Sequence, residues 1–500
     1  MVVDKHVTHI PGLDLISHGG IPQGRTTLVS GTAGSAKTVF ASQFLAEGIT
    51  NSGETGVFVT FEESAKDIRT NMATFGWNIA QWEKEGKWLF VDASPVPGQH
   101  VVESGNYDLG ALLARIENAI KKIDAKRVSL DSLGAIFNQL SNARIVRQEL
   151  FRISHALKEF NVTSILTAER SQEYGEISRF GVEEFVADNV IIFRNVLEEE
   201  KRRRTIEILK FRGTKHQKGE WPFTITPKQG IVILPLSGIE LKQRSSAVRI
   251  SSGIDVIDDM CCGGYFRDSI ILVSGATGTG KTLTATHFAG ACPNEGDRCL
   301  LLAFEESREQ LYRNAEGWGI NYAQLEQEGK LKVVCKYPET SGLEDHLLEI
   351  KNEVESFKPT RVAVDSLSAL ERTSTQKAFR EFIIGLTSFI KHEEIAGLFT
   401  STTSSLLGGS SITETHISTL TDSIILLRYV EVNGEMRRGL TVLKMRGSMH
   451  DKQIREFTID NSGMHVGKPF RNVTGILAGN PIHMSDSEID RMDGLFKDSM

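Results

Sequence analysis

Residues Gly275–Thr282 read GATGTGKT, between the apolar run SIILVS and the segment TLTATHFAG. This is the GxxxxGK(S/T) phosphate-binding loop (P-loop), here joining a predicted strand to a predicted helix. Glycines let backbone N–H groups point at phosphates, and the helix N-terminus adds a favourable dipole. We expect Lys281 to reach the β- and γ-phosphates of a nucleotide and Thr282 to ligate Mg²⁺. The expected nucleotide contacts are Gly275, Ala276, Thr277, Gly278, Thr279, Gly280, Lys281 and Thr282.

A related loop stands earlier in the chain. Residues Gly31–Thr38 read GTAGSAKT, in which Ala36 replaces the second glycine of the motif. A methyl group there can hinder the loop, so a degenerate loop that binds no nucleotide stays open as an alternative. The intact lysine and threonine favour a second ATP site, with the expected contacts Gly31, Thr32, Ala33, Gly34, Ser35, Ala36, Lys37 and Thr38.

Both loops belong to a long internal repeat, offset by about 240 residues. GVFVTFEESAKDIRTNMATFGW recurs as CLLLAFEESREQLYRNAEGWGI, RVSLDSLGAI recurs as RVAVDSLSAL, and IEILKFRGTKHQKGEWPFTI recurs as LTVLKMRGSMHDKQIREFTI. Each copy alternates apolar strands with amphipathic helices, which predicts an α/β fold of two tandem P-loop NTPase domains with mainly parallel central sheets. The predicted bounds are 1–236 for the first domain, 237–247 for a linker, 248–484 for the second domain and 485–500 for a mobile acidic tail.

Composition narrows the function classes. The chain has 500 residues, 40% of them hydrophobic and 24% charged, which is typical of a soluble multidomain protein. It has neither a leader-like N-terminus nor a run of about 18 apolar residues, so we expect a cytoplasmic location. A net charge of −7 disfavours a nucleic-acid partner. Reduced structural thiols, without metal or redox spacing, are expected at Cys261, Cys262, Cys292, Cys299 and Cys335.

Acidic residues recur at matched positions of the two copies. Asp131 and Asp365 each end an apolar strand, where a carboxylate can hold Mg²⁺; a surface aspartate at a turn is the simpler alternative. A pair of glutamates follows another strand in each copy. One carboxylate of such a pair can act as a base near the γ-phosphate while the other orients it, although a solvated helix start explains the acids equally well. These candidate catalytic residues are Glu62, Glu63, Glu305 and Glu306.

The chain resembles the KaiC family, circadian-clock ATPases and autokinases of the RecA/DnaB-type superfamily. The resemblance runs from about residue 6 to residue 484 and includes GVEEFVADNV, LKFRGT, SGLEDHL, FKPTRVAVDSLSAL, THISTLTDSIILLRYVE and GEMRRG. It implies RecA-like domains, a homohexamer of two stacked rings, and ATP bound with Mg²⁺ between neighbouring subunits. Further nucleotide contacts implied by the family are Lys210, Arg212, Thr214, His216, Trp318, Arg372, Lys444, Arg446, Ser448 and His450. A solvated basic edge is the alternative for the lysine and arginine pairs.

The resemblance also implies autophosphorylation in the second domain, on Ser418 and Thr419, with Thr413 as a third hydroxyl nearby. Alignment of TDSIILLR with ADNVIIFR sets Glu184 and Phe185 of the first copy against the two acceptors. Only the second copy therefore offers acceptor hydroxyls. This asymmetry predicts that the first domain hydrolyses ATP while the second transfers phosphoryl groups to protein.

Partners follow from the resemblance as well. The segment Gln99–Gly110 resembles the loop through which the family binds a KaiB-like protein. A short acidic tail, and Thr474 where members that bind KaiA carry an acid, argue against a KaiA-like partner. Two other functions remain open at this stage: a RecA/DnaB-like nucleic-acid motor, and a signalling scaffold that ATP assembles without kinase activity.

Overall fold

The computed structural model describes residues 3–93, 109–134, 143–178, 183–198, 200–235, 245–292, 294, 296–403, 417–432, 434–471, 473–476 and 482–483. The chain divides into two compact units, Met1–Gly238 and Ile239–Met500. Several predicted features lie outside the described residues: most of the segment Gln99–Gly110, Thr413, residues 237–244 of the linker and the tail 485–500.

One central sheet organises the first unit, with nine strands among its described residues. Six neighbouring strands run parallel, and three more extend the sheet in antiparallel order at one edge. In spatial order the strands are Trp88–Asp92, Gly56–Thr60, Arg127–Asp131, Thr163–Glu169, Thr26–Gly31, Asn189–Glu198, Lys201–Phe211, Glu220–Thr226 and Gly230–Ile233.

The second unit repeats this sheet strand for strand within its described part. Its order is Leu331–Cys335, Cys299–Ala303, Arg361–Asp365, Ala396–Thr402, Ile270–Gly275, Ser423–Val432, Glu435–Met445, Arg455–Asp460 and Gly463–Pro469. The two domains with mainly parallel sheets predicted from the repeat are confirmed. Short strand pairs add Lys5–His6 with Ile21–Pro22, Arg249–Ile250 with Tyr265–Phe266, and Val473–Thr474 with Ile482–His483.

Helices connect the parallel strands and cover the sheets. In the first unit they are Leu13–Ile16, Lys37–Ser52, Ala65–Ala73, Ile79–Lys84, Leu109–Ile123, Ala143–Glu159 and Glu183–Val186. In the second unit they are Asp255–Met260, Lys281–Gly290, Arg308–Gly317, Tyr322–Gln327, Leu343–Phe357, Leu367–Arg372 and Gln376–His392, with 3₁₀ turns at Pro338–Thr340 and Ile417–Thr419.

The P-loop strands lie at the centre of each sheet. Thr26–Gly31 and Ile270–Gly275 are buried at every residue, as expected for a parallel strand covered on both faces. In the first unit, the helix Lys37–Ser52 contributes Phe40 and Phe44 to the apolar core that contains Val29. A second core, built around Leu28, packs the sheet against the helices Leu109–Ile123 and Ala143–Glu159.

The antiparallel extension of each sheet was not predicted from the sequence. In Lys201–Phe211 only four of eleven residues are buried, and charged residues fill the first half of the strand. Such a strand lacks the continuous apolar run that identifies a buried parallel strand. Its charged segment is nevertheless paired along Asn189–Glu198, which brings arginines close to the first P-loop.

Because the parallel strands share one direction, their carboxyl ends form a common edge. Ligands of open α/β sheets bind in the crevice beyond that edge. Among the described residues, no helix combines the length and apolar character needed to cross a membrane. The five cysteines are unpaired: three are buried, Cys335 is half-buried and Cys262 is exposed.

Candidate active sites

Each P-loop bends from the end of its strand into the N-terminus of the next helix. Lys37 Nζ donates to the carbonyl oxygens of Gly31 and Thr32, both at 2.9 Å. Lys281 Nζ donates to Ala276 O at the same distance. Burial lowers the pKa of both lysines, and neighbouring carboxylates oppose that shift. Both ammonium groups therefore lie inside the loop, where a phosphate would meet them together with the backbone N–H groups.

Ala36 adopts the backbone conformation of the glycine it replaces. Its φ is 76°, against 105° for Gly280, and both residues cap the following helix in the left-handed region. An L-residue pays roughly 1–2 kcal/mol for that conformation. Each loop also closes on itself through one hydroxyl: Ser35 Oγ donates to Thr32 O at 2.7 Å, and Thr279 Oγ1 donates to Ala276 O at 2.8 Å. The alanine is thus accommodated without a change in the course of the loop.

Asp131 and Asp365 lie at the carboxyl ends of matched strands, and the peptide bond after each is cis. Burial raises the pKa of both aspartates. Hydrogen bonds oppose the shift, from Thr167 and Thr38 in the first unit and from their counterparts Thr400 and Thr282 in the second. Each site offers one carboxylate and one P-loop hydroxyl, hard oxygen donors that suit Mg²⁺, whose other ligands are usually water and phosphate.

The glutamate pairs have matched surroundings. Ser366 Oγ donates to Glu305 Oε2 at 2.9 Å, and Asn314 Nδ2 donates to Glu306 Oε2 at 3.2 Å. In the first unit, interactions with Ser132 and Asn71 lower the pKa values of Glu62 and Glu63, whereas partial desolvation raises them more strongly.

The members of a pair differ in what they face. Glu62 is among the charges that raise the pKa of Lys37, after Asp131 and Glu169, and Glu305 is among those that raise the pKa of Lys281. The first glutamate of each pair therefore lies within electrostatic range of the P-loop lysine. From the sequence we did not predict that serines and asparagines contact these glutamates, although each of them occupies the same position in both copies of the repeat.

Arg372 and Trp318 have different surroundings in the second unit. Arg372 forms an ion pair with Glu305 of its own chain. Trp318 ends the helix Arg308–Gly317 and packs, half-buried, against the apolar core. Arg372 therefore contacts a candidate catalytic carboxylate of its own chain, and its contact with nucleotide stays a prediction.

The lysine of each basic pair is bound to its own chain. Lys210 Nζ donates to Glu184 O at 3.0 Å and Ala187 O at 2.9 Å. Lys444 Nζ donates in the same way to Ser418 O at 2.9 Å and Thr421 O at 2.7 Å. These lysines fix the segment that precedes the strand next to the P-loop strand.

The arginine of each pair lies near an aspartate that is buried in the first unit and partly buried in the second. Arg212 Nη1 lies 3.5 Å from Asp188 Oδ1, and Arg446 Nη1 lies 3.7 Å from Asp422 Oδ1. Arg446 Nη2 also donates to Thr419 O at 3.0 Å. Both arginines remain about half exposed, so they are open to a neighbouring molecule.

Further along the same edge, two histidines share an uncommon feature. Within the described residues, Nδ1 of His216 and Nδ1 of His450 are buried without a hydrogen-bond partner. Buried polar atoms usually find partners, so the two histidines share this exception at matched positions of the repeat. Thr214 and Ser448 donate their hydroxyls to the next carbonyl oxygen in the chain, at 3.5 and 2.9 Å.

Ser418 and Thr419 form the 3₁₀ turn Ile417–Thr419. Glu184 stands at the corresponding place in the first unit, in the short helix Glu183–Val186, and accepts a hydrogen bond from Ser178 Oγ at 2.6 Å. The turn Ile417–Thr419 is held to its own chain through its backbone carbonyls, by Lys444 and Arg446.

Comparison with known proteins extends over nearly the whole chain. The family model of the KaiC ATPase matches residues 6–238 and again residues 250–470. The chain is 68% identical to the circadian clock protein KaiC3 of Synechocystis sp., over all of this chain and 98% of that protein. It is 57% identical to the circadian clock oscillator protein KaiC of Thermostichus vulcanus, over 97% of this chain and 93% of that protein. Two matches of the family model, at the two P-loop domains, together with these full-length relatives establish that the chain belongs to the KaiC family of ATPases.

Proposed function

We propose that this chain is a timing ATPase in which the first domain hydrolyses ATP and the second phosphorylates Ser418 and Thr419. One observation carries the proposal: the two domains share the P-loop lysine, the buried aspartate and the glutamate pair, but only the second has hydroxyls in the turn that Lys444 holds. In the first domain the equivalent lysine, Lys210, holds a segment that contains Glu184.

In the first domain, Lys37 and the backbone N–H groups of the P-loop bind the phosphates of ATP. Thr38 and Asp131 would hold Mg²⁺, which when bound neutralises charge on the β- and γ-phosphates. Glu62 accepts a proton from a water molecule as its oxygen bonds to the γ-phosphorus and the bond to the bridging oxygen breaks, so that ADP and phosphate leave. Glu63, beside Asn71, orients its neighbour.

In the second domain, Lys281, Thr282 and Asp365 take the corresponding roles. Glu305 accepts the proton of a Ser418 or Thr419 hydroxyl from the neighbouring subunit, the hydroxyl oxygen bonds to the γ-phosphorus, and ADP leaves. Arg372 must release Glu305 before that step, because the ion pair occupies the carboxylate that is to contact the hydroxyl.

Assembly as a homohexamer completes both sites in this proposal. Arg212 and Arg446 are half exposed at the end of a strand, and each forms an ion pair with an aspartate of its own chain. A cation supplied by the next subunit stabilises the charge that develops during phosphoryl transfer, which makes activity depend on assembly.

The timing role rests on the relatives, which are named as circadian clock proteins. A phosphate adds nearly two negative charges beside Lys444 and Arg446, so it can alter subunit contacts and partner affinity. We assign the segment Gln99–Gly110 to a KaiB-like partner.

The test is intact-mass and phosphopeptide analysis of the purified chain after incubation with Mg·ATP, beside the double variant Ser418→Ala, Thr419→Ala. We expect phosphate on one or both residues of the wild type, none there in the variant, and ADP from both proteins. ADP without protein phosphate would remove the kinase assignment and leave a double-domain ATPase. Stimulation of turnover by DNA or RNA would instead support a motor.

A further inference from the structure

The first P-loop is held from outside by a carboxylate. Thr32 Oγ1 donates to Glu173 Oε1 at 2.6 Å, and the backbone N of Asn195 donates to Glu173 Oε2 at 2.9 Å. Glu173 is half-buried in the segment that follows the strand Thr163–Glu169. One side chain therefore links the second residue of the P-loop to the strand beside it.

Two more contacts support the same loop. Arg204 Nε donates to Gly34 O at 3.3 Å. The Asn195 amide lies so close to Gly34 that a Cβ atom there would stand 3.2 Å from Nδ2. Arg204 and Asn195, on the paired strands Lys201–Phe211 and Asn189–Glu198, therefore also contact the loop, and Asn195 links these contacts to Glu173.

The second P-loop is built differently. Ala276 stands where the first loop has Thr32, so no hydroxyl is available for such a link. Tyr429 replaces Asn195, and a Cβ atom on Gly278 would lie 2.7 Å from its hydroxyl oxygen. Arg438, in place of Arg204, stacks over the Tyr429 ring at 5.7 Å. The second loop has an aromatic support and a glycine at position 280; the first has a carboxylate link and Ala36.

We propose that Glu173 is a positioning residue that keeps the first P-loop in its nucleotide-binding conformation despite Ala36. This inference rests on the proposed hydrolysis of ATP in the first domain. Ala36 is disfavoured in the left-handed conformation that the loop requires, so an unsupported loop spends more time in other conformations. The apparent affinity for ATP falls in proportion to the competent fraction.

The experiment uses the full chain with the second site disabled by Lys281→Ala, and measures KM and kcat for Mg·ATP. In this background we expect Glu173→Ala to raise KM by about tenfold with a smaller change in kcat. Ala36→Gly, added to Glu173→Ala, should return KM to within about twofold of the starting value because glycine needs no support in the left-handed region.

Two variants distinguish the loss of the hydrogen bonds that support the P-loop from the loss of a negative charge. In Glu173→Gln, the amide oxygen can still accept a hydrogen bond from Thr32. The amide nitrogen is a donor and cannot accept the second hydrogen bond, from the Asn195 N–H, so we expect a KM between those of the parent chain and of Glu173→Ala. Glu176→Ala removes the same charge from an exposed position three residues away and should leave KM unchanged.

Three results would overturn the proposal: an unchanged KM in Glu173→Ala, a lower KM in Glu173→Gln, which would mean that the carboxylate repels phosphate, or no rescue by Ala36→Gly. Absence of hydrolysis in the Lys281→Ala parent itself would contradict the proposed function of the first domain instead.

Discussion

The carboxylates of Asp131 and Asp365 accept hydrogen bonds from hydroxyl groups, and their burial makes the charged form unfavourable. A raised pKa in the folded state contributes stability that is present at low pH and lost as the pH rises through the folded-state pKa. The stability of the nucleotide-free protein should therefore be lowered at neutral pH by the same carboxylates that we propose as Mg²⁺ ligands. Binding function and stability are opposed at these two residues.

The first prediction concerns Asp365→Asn. An amide carries no charge, so the nucleotide-free variant should melt at a higher temperature than the wild type, with a difference that grows as the pH rises from the ordinary aspartate pKa of about 3.9 toward the raised folded-state pKa. Phosphorylation of Ser418 and Thr419 should be lost. Thermal unfolding across this pH range measures the difference, and a difference that shrinks with rising pH would contradict the sign.

The second prediction concerns the pH dependence of hydrolysis. Partial desolvation raises the pKa of Glu62, and Ser132 opposes the shift. As a base, Glu62 must be ionised, so activity should fall on acidification at a pH above the ordinary glutamate pKa of about 4.3. Ser132→Ala should move that acidic limb to higher pH. The pH–rate profile of the Lys281→Ala chain checks this, and an unmoved limb would argue against Glu62 as the base.

At the level of elements, a buried arginine ties together the parts of each domain. Arg127 begins its strand, is 1% exposed, and donates to Phe44 O at 2.8 Å and Val7 O at 2.7 Å while pairing with Glu54 at 2.5 Å. Arg361 repeats the role with Phe288 O and Ser251 O, both at 3.1 Å. Strand, P-loop helix and N-terminal segment are thereby joined at one point.

The third prediction follows from this junction. Arg127→Ala leaves three acceptors without their donor, so we expect the first unit to lose about 3 kcal/mol of stability. This value is near the lower end for the loss of one partner of a buried ion pair, because Glu54 is partly exposed. Hydrogen exchange resolved by peptide should show faster exchange in residues 3–93 and not in the second unit. Arg361→Ala is the matched control and should reverse the pattern.

The sequence predicted the elements that repeat as strings and missed those that depend on contacts between distant segments. The P-loops, the strand-end aspartates and the glutamate pairs appear as contiguous motifs, and the parallel strands as apolar runs. The antiparallel extension was missed because its first half is charged. Contacts such as Thr32 with Glu173, 141 residues apart, leave no local pattern to recognise. The roles of the predicted site residues remain proposals.

At the level of the whole molecule, each P-loop and the arginine assigned to it would belong to different subunits. Lys281 and Arg446 therefore act at opposite interfaces of one subunit in the proposed ring. A ring of identical defective subunits has no complete second site, whichever of the two residues is changed.

The fourth prediction is complementation. Lys281→Ala and Arg446→Ala chains should each fail to phosphorylate Ser418 or Thr419. When mixed under conditions of subunit exchange, they should regain part of the activity, because an interface between an intact Lys281 and an intact Arg446 forms again. Phosphopeptide analysis of the mixture provides the measurement. If the mixture stays inactive although exchange is demonstrated by mass, the arginine does not act across the interface.

All five cysteines belong to the second unit, and Cys262 alone among them is exposed. A maleimide dye should thus attach first at Cys262 and leave the first domain unmodified. The native chain then carries a single fluorescent reporter on its proposed kinase domain, and a second dye on a partner protein would allow binding to be followed by energy transfer without engineered thiols.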